Sequence, residues 1–292
     1  MKKYILLLAA LVTLTACSQL ELDEASGDTA EKVQTKKFTF TVKGDFTAWQ
    51  GDAANSRRKV KNEYLSVDGT EMTDLWVVDV MNGEVVQQLH QTPEDAAWGE
   101  PSMSLKLGAH HIYFLASYGT TPTLNGTKVT WASVRDTFWA DYEVSVVSSS
   151  NGNRAVTLDR VASLLALTID DAIPAGATTL TATPEVWYNG IDIVGGVPVA
   201  ATSGKSWTSL ASNVGQTGRL FGMYLIGADD EYTTVILLQA SDGQTVMGSA
   251  TLSDVPIKRN RKLQYHGPLF GRTASNAVQL NTDWLDNYNG TW

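Results

Sequence analysis

The sequence predicts an all-β protein built from β-sandwich domains, and three patterns support that fold class. Short apolar runs alternate with polar residues along most of the chain, and this period of two is typical of half-buried strands. Asn-Gly and Asp-Gly pairs stand between several runs, where they favour tight hairpin turns. Only residues 206–214 show even a weak helical pattern. Because 292 residues are long for one core, we expect about two domains.

The stretch at residues 155–171, AVTLDRVASLLALTIDD, predicts two strands joined by a polar bend. Val156 and Leu158 alternate with polar neighbours, whereas residues 161–169 are apolar on both faces and therefore require burial on both sides. A short buried helix is the alternative, and the strand is favoured because a proline follows soon after. We place the domain boundary here, with residues 36–159 forming the first sandwich and residues 160–292 the second.

Further strands are predicted in order along both halves of the chain. The apolar runs lie at residues 37–42, 74–80, 85–89, 103–107, 112–118, 128–131, 142–147, 180–183, 186–193, 220–226, 233–240, 245–252, 263–270 and 277–284. The hairpin signals between them are Asn82-Gly83, Asn151-Gly152 and Asp242-Gly243. The spacing of strands and turns is that of a sandwich.

The N-terminus predicts export and lipidation. Two lysines and a short apolar run precede small residues and then Cys17, and the run is too short to cross a bilayer. Residues 14–17 resemble the lipobox of bacterial lipoproteins, so residues 1–16 are predicted to be a signal peptide and Cys17 the acylated first residue of the mature chain. An ordinary secretory signal or a buried N-terminal segment is the alternative.

Lipidation at Cys17 predicts a permanent anchor in the outer membrane, since each buried CH₂ contributes about 0.8 kcal/mol. Residues 17–35 then form a tether. Its acidic residues resemble the surface-export signal of Bacteroides-type lipoproteins, with a plain solvated tether as the alternative. Cys17 is the only cysteine, so the chain has no intramolecular disulfide.

Charge and motifs argue against several function classes. The net charge of -9 excludes a basic footprint for nucleic acid. No serine-hydrolase, zinc-protease or phosphate-loop motif occurs, so we expect no enzymatic activity and no cofactor. His110 and His111 are adjacent in a predicted strand and must point to opposite faces, so they cannot bind one metal ion together. We expect the histidines to lie on strand surfaces or edges and expect no metal site.

Three tryptophans near predicted strand ends leave a second function open. Exposed rings of Trp131, Trp139 and Trp187 could stack on sugars, although filling of the core is the favoured interpretation. The alternative function is therefore a carbohydrate-binding surface lipoprotein.

Four stretches give the chain a family resemblance. They are TDLWVVDVMNGEVVQQLHQ (residues 73–91), GAHHIYFLASYG (108–119), VTLDRVASLLALTIDDAIP (156–174) and VPIKRNRKLQYHGPLFG (255–271). Together with the lipobox, they resemble the fimbrillin-type lipoproteins of Bacteroides and relatives, which supply major, anchor and tip subunits of type V pili. The resemblance implies two tandem transthyretin-like β-sandwiches.

The resemblance also implies assembly by donor-strand addition. A protease would cut after Arg57 or Arg58, although a solvated basic surface loop is the favoured interpretation of that segment. The strand bearing Phe38, Phe40 and Val42 would then leave, which opens an apolar groove and an unpaired sheet edge. A C-terminal strand of another subunit would fill the groove with the side chains that share one face of residues 277–284, namely Val278, Leu280, Thr282 and Trp284. That segment would otherwise end its own second sandwich.

The expected function is accordingly a structural subunit of a cell-surface fimbria or a related adhesive assembly. Its expected partners are other fimbrial subunits, outer-membrane lipid through Cys17, and a host or bacterial surface receptor.

Overall fold

The computed structural model describes residues 34–44, 63–67, 70–202, 204–207, 209–271 and 287–291. These residues form strands joined by short connections, so the predicted all-β fold is confirmed. The first half of the chain, up to Arg160, contains β1 (Thr35–Gly44), β2 (Ser66–Val67), β3 (Thr70–Glu71), β4 (Asp74–Met81), β5 (Glu84–Gln91), β6 (Ser102–Lys106), β7 (Gly108–Ser117), β8 (Thr120–Asn125), β9 (Lys128–Ser133), β10 (Thr137–Val146) and β11 (Asn153–Arg160).

The second half continues the pattern. It contains β12 (Ala162–Ile169), β13 (Thr179–Pro184), β14 (Tyr188–Asp192), β15 (Val197–Ala200), β16 (Lys205–Trp207), β17 (Arg219–Ile226), β18 (Tyr232–Ser241), β19 (Val246–Ile257), β20 (Lys262–Gly267) and β21 (Asn287–Thr291). The described helices are short 3-10 turns at Glu63–Leu65, Val194–Gly196 and Ser209–Asn213. The weak helical pattern at residues 206–214 thus corresponds to β16 and the last of these turns.

The first half folds around a core between two groups of strands. Its sheet has the order β5-β4-β7-β10-β11-β1-β6, but β10 and β11 pair only at Phe138 with Arg160 and at Trp139 with Asp159. This narrow connection lets the group β11-β1-β6 face the group β5-β4-β7-β10. The buried apolar side chains of one core come from both groups: Phe38, Phe40, Val42, Met103, Leu105, Val156 and Leu158 from the first, and Leu75, Val77, Ile112, Phe114, Ala116, Phe138 and Ala140 from the second.

Strand β12 begins the second half; one face is fully buried and the other largely so, with Leu164 and Thr168 half-buried, which is close to what its sequence predicts. It pairs antiparallel with β17 and parallel with β20, and Leu165 is fully buried. The strand interpretation is confirmed and the helical alternative is wrong, because pairing on both edges outweighs the helix propensity of Leu and Ala. The two sheets of this half have the orders β17-β12-β20-β21 and β16-β13-β18-β19.

A further sheet is built from strands of both halves, in the order β15-β14-β9-β8. Strand β9 of the first half pairs with β14 of the second, with Val129 opposite Ile191. Strand β4 and the second part of β7, from Ile112 to Ser117, are consequently buried on both faces. Trp76, Val78 and Leu115 contribute to the large core of the second half, whereas their sequence neighbours face the first core.

Polar contacts also join the halves. The buried Arg160, the last residue of the first half, is held by hydrogen bonds from its Nε to the carboxylate of Asp136 at 2.8 and 3.0 Å, and its Nη1 donates to Asn260 Oδ1 of the second half at 3.4 Å. Across the junction, Trp139 Nε1 donates to the carbonyl of Ile193 at 2.8 Å. Arg259 Nη2 donates to the carbonyl of Gly196 at 2.6 Å.

Turn chemistry agrees with the sequence at the first hairpin. Asn82 and Gly83 have φ values of 53° and 81°, and both positive values are what a type I′ turn between β4 and β5 requires. The asparagine-glycine pair therefore forms the predicted hairpin.

One histidine differs from the sequence expectation. The His111 side chain is exposed, but His110 is buried, with Nδ1 2.8 Å from Asp79 Oδ1 and Nε2 2.9 Å from the carbonyl of Lys106. The prediction that the two rings point to opposite faces is right. The prediction that all histidines lie on surfaces or edges is wrong for His110, because Asp79 on β4 supplies a buried partner that the sequence does not reveal.

Candidate functional site

Strand β1 lies inside its sheet and is hydrogen-bonded on both sides. It pairs parallel with β11, from Thr39 opposite Asn153 to Gly44 opposite Leu158. On its other side it pairs antiparallel with β6, with Phe38 opposite Met103. The sequence suggested that loss of β1 would expose one sheet edge. Because β1 lies between β11 and β6, its loss would instead leave both of these strands without a partner on that side.

The apolar face of β1 is a large part of the first core. Phe38, Phe40 and Val42 have no solvent-exposed surface. The Phe40 ring makes edge contacts with Phe114 at 5.2 Å and with Tyr142 at 5.9 Å between centroids. Burial of such a side chain contributes roughly 1.5–3 kcal/mol, so the three together bind β1 firmly. A replacement strand would need apolar side chains at the same alternate positions.

Backbone contacts beyond the two ladders hold β1 along its length. The amide of Phe40 donates to the carbonyl of Pro101 and that of Val42 to the carbonyl of Gly99, both at 3.0 Å. The amide of Thr39 donates to the carbonyl of Gly152 at 2.6 Å. A Cβ atom on Gly152 would overlap the carbonyl oxygen of Lys37, so glycine is required for this close approach of the β10–β11 turn to β1.

Side-chain contacts on both faces of this strand group add to the hold on β1. Arg154 lies opposite Phe40 on the core-facing side, and its guanidinium is 5.0 Å from the centroid of the Phe38 ring. On the outer face, the hydroxyls of Thr39 and Ser102 are hydrogen-bonded at 2.8 Å. Each of these contacts is worth little by itself.

Several predicted site residues lie outside the described residues. They are Cys17, Arg57, Arg58, Val278, Leu280, Thr282 and Trp284. The last described strand, β21, pairs parallel with β20 and follows the predicted C-terminal strand in sequence. No described helix has the length and apolar composition that a membrane crossing requires.

The tryptophans that were the alternative candidates for sugar stacking mostly fill the core. Trp131 and Trp187 are buried, which agrees with the favoured interpretation. Trp139 is half-buried, with the Arg259 guanidinium 5.4 Å from its ring centroid and the Tyr113 ring stacked on it at 6.1 Å. Trp139 lines a cavity of about 290 Å³ together with Asp159, Arg160, Val161, Asp229, Arg259 and Asn260. Tyr113 and Arg259 of the protein itself thus already pack against the indole ring of Trp139.

The Arg259 guanidinium in this cavity is partly buried. The pKa of Arg259 is lowered by its burial, while Asp229 and Asp159 oppose that shift. Arg259 Nη1 forms an ion pair with Asp229 at 2.7 Å. The guanidinium is thus already engaged by a carboxylate, a carbonyl and an aromatic ring of the protein itself.

Comparison with known proteins gives structural neighbours only. No protein-family model and no curated protein matches the sequence. The chain is similar to the crystal structure of a candidate adhesin from Bacteroides ovatus ATCC 8483, with 10% identity, 80% of this chain and 87% of that chain covered, and a TM-score of 0.49. It is similar to the fimbrial anchor protein Mfa2 from Porphyromonas gingivalis, with 8% identity, coverage of 75% and 83%, and a TM-score of 0.46. A candidate polysaccharide-binding protein from Bacteroides thetaiotaomicron VPI-5482 has 7% identity, coverage of 73% and 79%, and a TM-score of 0.46.

Proposed function

We propose that this chain is a structural, non-catalytic subunit of a cell-surface fimbria or related adhesive assembly. It is anchored by lipid at Cys17, at least as a precursor, and it assembles by donor-strand addition. Its partners are other subunits of the assembly, and a surface receptor is the target of the adhesion.

The observation that carries the proposal is the position of β1. It is a central strand whose Phe38, Phe40 and Val42 are fully buried between β11 and β6. Its removal would leave an apolar groove flanked by two strands with unpaired backbone groups. Such edges bind another strand readily through main-chain hydrogen bonds, and pockets for alternate side chains select its sequence.

The order of segments along the chain makes this removal feasible. Arg57 and Arg58 follow β1, so a cut after either residue would leave β1 on a separate fragment held only by non-covalent contacts. That fragment also contains Cys17. A subunit that polymerises would therefore lose its anchor at the same step, whereas an anchor subunit would stay uncut.

An arginine-specific protease tests the proposal on the purified full chain. After a cut at Arg57 or Arg58 has been verified by mass spectrometry, we expect ladders that resist sodium dodecyl sulfate. A Leu280→Asp variant should be cut equally well but form no ladder, because a carboxylate on the donor face would have to enter the apolar groove.

The matched control places the same substitution on an exposed leucine. Leu220 lies on β17 and is 62% exposed, so Leu220→Asp should form ladders like the unmodified chain. A chain that stays monomeric after a verified cut would contradict donor-strand assembly and favour a permanently anchored role.

A further inference from the structure

Three side chains that could bind a metal ion meet on the surface formed by β7 and β10. His111 Nδ1 lies 3.3 Å from both carboxylate oxygens of Asp141 and 3.8 Å from Glu143 Oε1. One ligand atom from each residue lies within 4.8 Å of the others. The sequence does not reveal this cluster, because His111 and Asp141 are 30 residues apart and meet only through strand pairing.

The pairing of the two strands explains why the three side chains share one face. Glu143 lies directly opposite His111 across the antiparallel ladder, and Asp141 lies two positions along β10, opposite Tyr113. Residues two apart on a strand, and residues directly opposite on its neighbour, project to the same side of the sheet. The ligand atoms therefore converge without any change in the backbone.

The framework that holds the cluster is rigid. Strands β7 and β10 pair along the whole of β10, from Thr137 opposite Ser117 to Val146 opposite Gly108. On the same face, burial falls from Leu115, which is fully buried, through Tyr113 to the exposed His111. The cluster thus lies at the rim of the large core, reachable from solvent, and little backbone entropy would be lost on binding.

The charges of the cluster also favour a cation. Across the described part of the chain, neither Asp141 nor Glu143 forms an ion pair with a lysine or arginine, and their only cationic partner is an imidazole that is charged only when protonated. Two carboxylates so close together repel one another unless a positive charge lies between them.

We propose that His111, Asp141 and Glu143 form a surface site for a divalent first-row transition-metal ion such as Zn²⁺. An imidazole nitrogen with two carboxylate oxygens is a ligand set that Zn²⁺ accepts, and water would complete the coordination. Ca²⁺ and Mg²⁺ prefer oxygen ligands alone, so they should bind more weakly here.

Calorimetric titration with Zn²⁺ tests the site. The full chain would be used without a polyhistidine tag and with Cys17→Ser in every sample, so that no thiolate competes for the metal. We expect one Zn²⁺ per chain. His111→Ala, and separately Asp141→Asn with Glu143→Gln, should lower the affinity at least about tenfold, a loss seen even for groups that only support a ligand.

The matched control removes a different exposed histidine. His266 Nδ1 lies 2.9 Å from Asp170 Oδ2 on another sheet, and His266→Ala should leave the affinity for Zn²⁺ unchanged. Circular dichroism without metal would establish that each variant is folded. Titration with paramagnetic Co²⁺ should shift the amide resonances of His111, Tyr113 and Glu143 but not those around His266.

Each contrary result would overturn the site. The assignment would be contradicted if the chain showed no saturable binding of Zn²⁺, or if the His111→Ala variant bound Zn²⁺ equally well. Loss of Zn²⁺ binding in the His266→Ala control would also contradict it. Paramagnetic shifts centred on His266 and Asp170 would do the same. The site is independent of donor-strand assembly, since none of its residues belongs to β1 or to its partners β6 and β11.

Discussion

At the residue scale, the contacts of the buried His110 determine which of its ring nitrogens carries a proton. The carbonyl of Lys106 can only accept, so His110 Nε2 must carry hydrogen, and the contact between Nδ1 and Asp79 then needs one further proton shared between them. Burial raises the pKa of Asp79, and the hydrogen bond to His110 opposes that shift. The pair is therefore a tightly held polar unit within an apolar layer.

Removing one partner of this pair should destabilise the fold. We expect Asp79→Ala to lower the free energy of unfolding by about 3–5 kcal/mol, the usual effect of breaking a buried pair. Asp79→Asn should cost less, because its amide can still hydrogen-bond to the ring. Urea denaturation measures both changes. Asp230→Ala, on an exposed carboxylate, is the control and should stay within about 0.5 kcal/mol of the unmodified chain.

The proposed lipidation of Cys17 predicts where the protein is found in the cell. Cys17→Ser should leave an uncleaved or soluble precursor, because neither diacylation nor cleavage before the cysteine can occur. Metabolic labelling with a fatty acid and membrane fractionation measure the effect. Unchanged fractionation with no loss of acyl label would contradict lipidation at this residue.

Asp242, in the β18–β19 hairpin, gives a prediction about pH. Its Oδ1 accepts hydrogen bonds from the amides of Thr245 at 2.7 Å and Gln244 at 2.8 Å, and these bonds hold its pKa below the usual value of 3.8. The ionised side chain therefore stabilises the fold above the pKa of the unfolded state, and this contribution is lost as pH falls through the folded pKa.

Carboxyl NMR titration of the folded chain should accordingly give Asp242 a midpoint below 3.8. An Asp242→Asn variant should lose less stability than the unmodified chain when the pH is lowered through this range. A midpoint at or above the usual value would show that the two amides do not stabilise the ionised form in solution.

At the element scale, Gly152 controls how closely the β10–β11 turn approaches β1. A methyl group at this position would overlap the carbonyl of Lys37, so Gly152→Ala should weaken the seating of β1 and speed exchange of the amides of Thr39 and Phe40. Hydrogen exchange read by NMR measures this. Gly126→Ala provides the control, because a Cβ atom there meets nothing within 4 Å; its φ of 62° adds backbone strain at that turn but should not change exchange of the β1 amides.

This variant also bears on assembly. If β1 is the strand that leaves, its weaker seating should make the cut chain form ladders faster. Amide exchange that is unchanged in Gly152→Ala would mean that the turn can move away from β1 without loss.

The strands themselves were largely predictable from sequence, and their partners were not. At residues 37–42 the local signal is the alternation of apolar and polar side chains with a period of two. At Asn82-Gly83 it is a residue pair that readily adopts the positive φ of a tight turn. Strand β8 is exposed along its whole length and carries no apolar stripe, so it was missed. The pairing of β9 with β14 joins segments about 58 residues apart, as the hydrogen bond from Asn189 to the carbonyl of Trp131 illustrates. The sequence does not reveal this pairing, because alternation along a strand does not specify the partner strand.

The same limit applies to the candidate sites. The apolar face of β1 follows from alternation, but its central place in the sheet depends on β11 and β6. The cluster of His111, Asp141 and Glu143 and the burial of His110 depend on the register of β7 with its neighbours, which the spacing of residues along the chain does not give.

At the scale of the whole molecule, the shared sheet should make the two halves unfold together. Gly190 lies opposite Thr130 where β14 meets β9, and a Cβ atom on Gly190 would overlap the carbonyl of Val129. We expect one cooperative thermal transition for the unmodified chain. In Gly190→Val, we expect a lower melting temperature and a broadened or divided transition.

Scanning calorimetry measures both properties, and Gly215→Val is the control because space is open around that residue. Gly215 has a φ of 77°, so some backbone strain is expected there, but no separation of the halves. Two well-separated transitions in the unmodified chain would contradict coupling through the shared sheet.

The parallel pairing of β1 with β11 has a consequence for the time course of folding. Synthesis from the N-terminus delivers β1 before either of its partners, since β6 begins only at Ser102 and β11 only at Asn153. Closing so large a loop is entropically unfavourable and slow compared with forming a hairpin such as β4–β5. The first of the described strands to be synthesised is thus among the last to complete its pairing, and until then the apolar groove that β1 will fill is open to any competing strand.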